Sequence, residues 1–295
     1  MRIAIAGGTG FIGEPLAERL ARDNDVAVLT RNPARVRVGR GIAWDPPEQD
    51  AWSDVVAAAD VVINLAGENI GQRWTKERKA RMVSSRLDAT NALVEAMKSA
   101  PPRQRTFISA SAVGYYGSRG DEILDEASAH GSGFLADLVM KWEAAAQQAE
   151  SIARLAILRF GVVLDPHGGA LAKMLPPFRL GLGGPIGDGR QWMSWIARED
   201  VLGMIEWVIA NDSARGVYNV TAPEPVRNRD FTRALGRALH RPAFVPVPAF
   251  GLKLLFGEMA DGTVLPSQRA VPARALSENY PFRHTDLGEA LASIL

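Results

Sequence analysis

At 295 residues the chain is long enough to bury a large core in one or two domains, and 47% hydrophobic with 23% charged residues is an ordinary globular composition. A net charge of +1 without a basic run argues against nucleic acid as a partner, and the lack of cysteine removes disulfides, thiolate metal sites and cysteine nucleophiles. The four histidines (His130, His167, His240, His284) lack metal-ligand spacing, so no metal is expected. No run reaches the ~18–20 apolar residues of a membrane helix. The apolar start enters a glycine turn directly rather than a cleavage region, so no membrane partner and a cytoplasmic location are expected.

In chain order, Ile3–Ala6 reads as a strand, Glu14–Arg22 as a helix and Val26–Thr30 as a second strand. Val61–Leu65 is a third strand, Lys79–Ser99 a long helix and Thr106–Ser109 a fourth strand. Helix Gly133–Ala149 and strand Leu155–Arg159 follow. Strands this apolar are covered on both faces, and their alternation with helices predicts a doubly wound α/β fold around a parallel sheet. After about Phe160 the rhythm breaks at Gly168-Gly169, Pro176-Pro177 and Gly181–Gly189. A helix (Asp200–Ala210), a strand (Val217–Thr221), a helix around Phe231–Leu239 and a proline-rich tail from Pro242 complete the chain. The predicted division is 1–165 as a dinucleotide-binding domain to which 198–222 returns. Segments 166–197 and 223–295 form a smaller C-terminal α+β substrate domain.

Between the first strand and first helix lies Gly7-Gly8-Thr9-Gly10-Phe11-Ile12-Gly13. In that setting glycines permit a tight turn and close approach of backbone to a pyrophosphate, while the helix start offers unpaired N–H groups. This predicts a Rossmann-type site using Gly7, Thr9, Gly10, Phe11, Ile12 and Gly13. The second strand ends in Thr30-Arg31-Asn32, with Arg35 close behind, where an NAD-selective site places a carboxylate on the ribose 2′-hydroxyl. A guanidinium at Arg31 suits a 2′-phosphate instead, so the expected cofactor is NADP(H) rather than NAD(H). Small residues at the end of the third strand, Asn64-Leu65-Ala66-Gly67, let Leu65 and Ala66 run beside the adenosine ribose.

These segments resemble the extended short-chain dehydrogenase/reductase superfamily, within it the NAD-dependent epimerase/dehydratase-like proteins that carry a small C-terminal domain of unknown function. The resemblance rests on the glycine motif, Asn64–Ile70, Ser85-Arg86-Leu87, Ser109–Gly117, Lys141–Ala144, Pro177–Gly187, Ser267-Gln268-Arg269 and Pro272, and so spans the whole chain. It implies that Arg86 lies near the cofactor phosphates, that the substrate is a small polar molecule such as a sugar nucleotide, and that a homodimer is a common arrangement.

Active members of the superfamily use a Ser or Thr after the fourth long strand and a Tyr-x-x-x-Lys on the next helix, where the ammonium lowers the phenol pKa. Here the residues four beyond Tyr115, Tyr116, Tyr218 and Tyr280 are Arg119, Gly120, Ala222 and His284, and none is lysine. Aligned on Trp142-Glu143, the helix offers Leu135 and Val139 in the two places. Ser111 keeps the place of the serine, with Ser109 close enough to compete for it. Tyr116 or Tyr115 could bring a phenol from the adjoining loop, and Glu68 is a third nominee at a strand's carboxyl end. Asn69, Arg73, Gln191, Trp192 and Trp195 are candidates for the substrate wall, although buried tryptophans are more often core. Lys141 stands i+4 from Asp137, the spacing of a surface ion pair. Two readings follow: an NADP(H)-dependent epimerase, reductase or dehydratase with Ser111, Tyr116 and Glu68 replacing the missing pair, or a catalytically inactive NADP(H)-binding sensor or regulator.

Overall fold

A computed structural model describes residues 1–48 and 50–295. Its centre is a sheet of seven strands: β1 (Arg2–Ala6), β2 (Asp25–Thr30), β3 (Arg40–Ala43), β4 (Val61–Asn64), β5 (Thr106–Ala112), β6 (Arg154–Phe160) and β7 (Gly216–Val220). All neighbours are parallel, in the order β3-β2-β1-β4-β5-β6-β7. Among the described residues ten α-helices accompany it: α1 (Gly13–Leu20), α2 (Trp52–Ala58), α3 (Lys76–Lys98), α4 (Phe134–Gln147), α5 (Gly169–Arg179), α6 (Arg198–Ala210), α7 (Asn228–Ala238), α8 (Ala249–Phe256), α9 (Ala273–Ser277) and α10 (Leu287–Ile294).

Side chains alternate across a strand, so β1 divides its apolar residues between two cores. Ile3 and Ile5 join Leu16 of α1 and Val201, Ile205 and Val208 of α6 on one face. Ala4 and Ala6 join Trp52 and Val56 of α2 and Leu93 and Met97 of α3 on the other. This is the doubly wound α/β architecture expected from the alternation of elements. A third core holds the rest together: Leu171, Leu175 and Phe178 of α5 meet Phe231 and Leu235 of α7 and Leu287 and Leu291 of α10.

Three stretches depart from the sequence reading. Gly168–Pro177, read as a break, contributes most of α5 with Pro176 and Pro177 inside it. Leu171, Leu175 and Phe178 recur at helical spacing on its buried face, and their burial outweighs the propensity cost near the helix end. β3 and α2 fill the stretch between Thr30 and Val61, where no element was expected. β3 is a short edge strand with no fully buried residue, so its sequence lacks the apolar signature of the central strands. The proline-rich tail contains α8, α9 and α10, the last capped by Asp286, whose carboxylate accepts the Glu289 N–H at 2.9 Å.

Register sets the ligand-facing edge. Ala6 lies opposite Leu29 and Asn64, and Asn64 opposite Ser109, so the residues following β1, β2, β4 and β5 emerge together. The chain direction across the sheet reverses between β1 and β4, which opens the crevice where open α/β sheets bind ligands.

Candidate functional site

The turn after β1 is a cradle that side chains would fill. Gly7 adopts a left-handed φ of +78°, and a Cβ there would stand 2.8 Å from the Leu65 carbonyl. A Cβ on Gly13 would approach Gly7 O to 2.2 Å. Gly10 N–H closes the turn onto Gly7 O at 3.0 Å. Ile12 at the N-cap of α1 makes no side-chain cap bond; Glu14 N–H returns to Gly10 O at 2.9 Å and Pro15 has no N–H, so the first turn presents the Gly13 N–H to an anion. The Phe11 ring packs against Gly168 and Gly169 and under the Arg198 guanidinium, whose Cζ lies 5.1 Å from the ring centroid. Arg198 in turn pairs with Asp165 at 2.7 Å. The side chain of Phe11 is thereby pinned behind the turn.

At the end of β2, Thr30 is buried and its Oγ1 accepts the Asn32 N–H at 3.2 Å. Arg31 is exposed. A shallow groove beside Gly8 and Thr9 is lined by Arg35 and Arg37 together with Glu14 and Glu18, Arg37 standing 3.4 Å from Glu14. Arg37 was not singled out from the sequence, where the Arg35-x-Arg37 spacing was its only signal.

The end of β4 is held by a buried polar cluster. Asn64 Nδ2 donates to Thr90 Oγ1 at 2.9 Å and its Oδ1 accepts the Ala66 N–H at 3.1 Å. Trp142 Nε1 donates to the same hydroxyl at 3.0 Å. Leu65, Ala66 and Gly67 are thus fixed at the mouth. A Cβ on Gly67 would stand 2.9 Å from the Arg86 guanidinium, so the glycine leaves room for that side chain. Arg86 donates only to carbonyls, Met82 O at 3.0 Å and Glu68 O at 3.1 Å, and lies over the Trp142 ring. Burial lowers its pKa to about 10, against a smaller opposing effect of the Glu68 charge. A guanidinium in this state is charged at neutral pH and is suited to a phosphate. Glu68 is half-buried, its N–H donating to Ser85 Oγ at 3.0 Å. From α5, Lys173 reaches the same loop and donates to Gly71 O at 2.7 Å.

The opposite end of the cleft is closed upon itself. Ser111, Arg159 and Asn219 occupy one register across β5, β6 and β7. Ser111 Oγ donates to Glu143 Oε1 at 2.5 Å, and Glu143, from α4, receives Arg159 through two bonds of 2.7 Å. Arg159 Nη1 donates to Tyr116 Oη at 2.9 Å, and that hydroxyl lies 2.8 Å from both Asn219 Oδ1 and Asp125 O. Ser111, Glu143, Arg159, Tyr116 and Asn219 are all buried. Burial pushes the Tyr116 phenol up to about 12, with Arg159 opposing the shift. Arg159 also lies 3.5 Å from the Tyr115 ring centroid. On α4, Leu135 Cβ would stand 3.6 Å from a Cβ on Gly114, and Val139 is buried.

One sheet edge therefore carries the glycine turn, Thr30, Leu65, Ala66, Arg86 and Glu68, while Ser111 and Tyr116 point into the buried network. Glu143, Arg159 and Asn219 were missed from the sequence because only β5–β6–β7 pairing reveals them. Of the wall candidates, Trp195 is buried with Nε1 on Glu224 O at 3.0 Å and belongs to the core. Trp192 donates to Asp121 at 2.8 Å between the guanidinium groups of Arg227 and Arg269.

Residues 3–221 match the model of the NAD dependent epimerase/dehydratase family, and residues 247–294 match a domain of unknown function, DUF1731. The human epimerase family protein SDR39U1 is 37% identical over 300 residues, covering 100% of both chains. A plant relative, the Arabidopsis thaliana "SDR39U1 homolog, chloroplastic", is 40% identical over 306 residues, covering 100% of this chain and 87% of that protein. The crystal structure of human SDR39U1 with NADPH superposes with a TM-score of 0.89 at 36% identity, covering 100% of this chain and 99% of that one. UDP-glucuronic acid 4-epimerase from Bacillus cereus, at 18% identity and a TM-score of 0.78, shares the fold.

Proposed function

Because the chain belongs to the NAD dependent epimerase/dehydratase family, we propose that it binds NADP(H) and acts as an epimerase- or reductase-like oxidoreductase on a small polar substrate carrying a carbonyl or hydroxyl. The observation that carries this reading is the pairing of the glycine cradle with nearby guanidinium groups. Arg35 and Arg37, beyond β2, line the groove beside Thr9, and Arg86 stands beside Gly67 with carbonyls alone as acceptors. The binding of NADPH by the human relative supports it.

In this reading the backbone of Gly7, Thr9, Gly10, Phe11, Ile12 and Gly13 receives the pyrophosphate, Leu65 and Ala66 border the ribose, and Arg86 approaches the phosphates. Thr30 and Arg31, with Arg35 and Arg37, select the 2′-phosphate over a 2′-hydroxyl. The bound nicotinamide supplies the hydride donor or acceptor. Of the three nominated catalytic groups, Ser111 and Tyr116 are buried while Glu68 is partly exposed, and in this reading Glu68 serves as the proton donor or acceptor. Ser111 and Tyr116 act as positioning residues, since their hydroxyls are engaged with Glu143, Arg159 and Asn219. Segments 166–197 and 223–295 form the substrate-side unit.

The test is a fluorescence titration with NADPH and NADH. NADPH binding at least tenfold tighter, about 1.4 kcal/mol, is expected, and equal affinities would remove the arginine selectivity. Turnover on a carbonyl and sugar-nucleotide panel then separates the enzyme from a second reading, an inactive NADP(H)-responsive regulator. That reading is favoured by Leu135 and Val139, which leave apolar contacts where the acid/base pair is expected. Turnover retained in Glu68→Gln would exclude Glu68 as the proton-transfer group.

A further inference from the structure

The outer face of the C-terminal unit combines two features that folding leaves unaccounted for. Four of its large apolar side chains stand almost fully in solvent: Leu254 at 79% exposure, Phe244 at 76%, and Leu180 and Phe250 at 75%. None of the residues of α8 is buried, although the helix is apolar apart from Lys253, which pairs with Asp261 at 2.8 Å. Solitary exposed apolar residues are normal, but a cluster marks a surface that meets something else.

The segments that carry these side chains lie side by side. Arg241 Nε donates to Arg179 O at 3.0 Å, Val245 N–H to Gly183 O at 3.1 Å and Gly187 N–H to Val247 O at 2.9 Å. The segment 179–187 is therefore stitched along 241–247 and leads into α8. Beside Phe244 opens a groove of about 840 Å³ lined by Arg229, Arg233, Arg237, His240 and Arg241, with no carboxylate in its wall. Arg229, Arg233 and Arg237 follow one another at i+4 along α7, and Asp230 reaches only Arg233, at 3.3 Å, and Arg229, at 3.8 Å. The net charge of the chain is +1, so this is a local concentration of positive charge.

We propose that this face docks peripherally on an anionic lipid surface, with Leu180, Phe244, Phe250 and Leu254 entering the headgroup region and the α7 arginines meeting the phosphates. Exposed apolar side chains beside cations of one sign are the combination that such surfaces bind, and neither alone holds a protein there stably. A two-fold contact with a second copy through the same face would bring arginine rows against each other. Docking requires no membrane-spanning segment, and no helix among the described residues is long and apolar enough to be one.

The test is co-sedimentation of the full chain with vesicles of phosphatidylcholine, with and without phosphatidylglycerol. The chain is expected to sediment with the anionic vesicles at least tenfold more than with the neutral ones, and to be released as salt rises and screens the charges. Phe250→Ser with Leu254→Ser, and separately Arg233→Glu with Arg237→Glu, should each lower binding tenfold or more while circular dichroism and thermal midpoint are unchanged. No sedimentation with either vesicle, equal sedimentation with both, or binding unaffected by the variants overturns the proposal. A dimer seen by light scattering that Phe250→Ser with Leu254→Ser dissolves also overturns it, because a second copy then covers the face.

Discussion

At the β1, β2 and β4 ends of the sheet, guanidinium groups have carbonyls or an exposed carboxylate as partners. At the β5, β6 and β7 ends, polar groups of the same chemical kinds face one another. Arg86 donates only to carbonyls, whereas Arg159 is clamped by both oxygens of Glu143 and by the Tyr116 hydroxyl. The contrast separates a region shaped to receive charge from one whose charges are already neutralised. A buried network that satisfies its own members contributes a fixed geometry and leaves little for a substrate to bind. The missing tyrosine and lysine on α4 fit that division, since Leu135 and Val139 add apolar surface on the same side.

The largest expected effect tests the closed region. Glu143→Gln leaves Arg159 buried without a carboxylate, which should lower stability by about 3–5 kcal/mol in urea unfolding. Replacing Glu143 and Arg159 together by Leu and Met should cost less than the sum of the two single changes. Additive costs would mean that the pair is not coupled and would break the contrast. Next in size is Gly13→Val, which forces a side chain into Gly7 O and should weaken NADPH binding on the order of 100-fold or more, about 2.7 kcal/mol by titration.

Tyr116→Phe sharpens the comparison through its pH dependence. The phenol is pushed up to about 12 in the folded chain, against about 10 unfolded. Its contribution to stability is therefore fully present below pH ~10 and is lost as pH rises towards 12. Removing the hydroxyl strips partners from Arg159 and Asn219 and should cost about 1–3 kcal/mol at neutral pH. The difference in tyrosinate absorbance between the two proteins should appear only above pH ~11. A difference near neutrality would show a phenol activated for proton transfer and return Tyr116 to the catalytic nominees.

The open region was legible in the sequence because its determinants are local. Gly7, Gly10 and Gly13 shape one turn, and the apolar runs of β1, β2, β4, β5 and β6 declare strands covered on both faces. The closed region was not. Ser111, Arg159 and Asn219 lie far apart in the chain and meet only through strand register, while Glu143 arrives from a helix. Nothing near Tyr116 in the sequence announces that its hydroxyl faces inward. The helix containing Pro176 and Pro177 was hidden for the opposite reason, a local signal overridden by tertiary burial of Leu171, Leu175 and Phe178.

Beyond β2 the sequence and the groove point to different arginines, and the choice between them carries the smallest effect. Arg31 was chosen because it follows the strand directly, yet the groove beside Thr9 is lined by Arg35 and Arg37. The short helical turn Pro33–Arg35 folds the chain back over the start of α1, which brings the later arginines to the glycine turn. If the 2′-phosphate is held there, Arg35→Ala with Arg37→Ala should weaken NADPH about tenfold, close to 1.4 kcal/mol, and leave NADH within about twofold. Arg31→Ala should then change NADPH affinity less than the double variant does. Arg37 has Glu14 at 3.4 Å, so part of its charge is already compensated and the loss should be smaller than for two free cations. The reverse ranking, with Arg31 dominant, would mean that the cofactor crosses the end of β2 nearer the sheet than the groove does. NADPH and NADH affinities falling together would place these arginines on the shared phosphates, and the selectivity would then have to arise elsewhere.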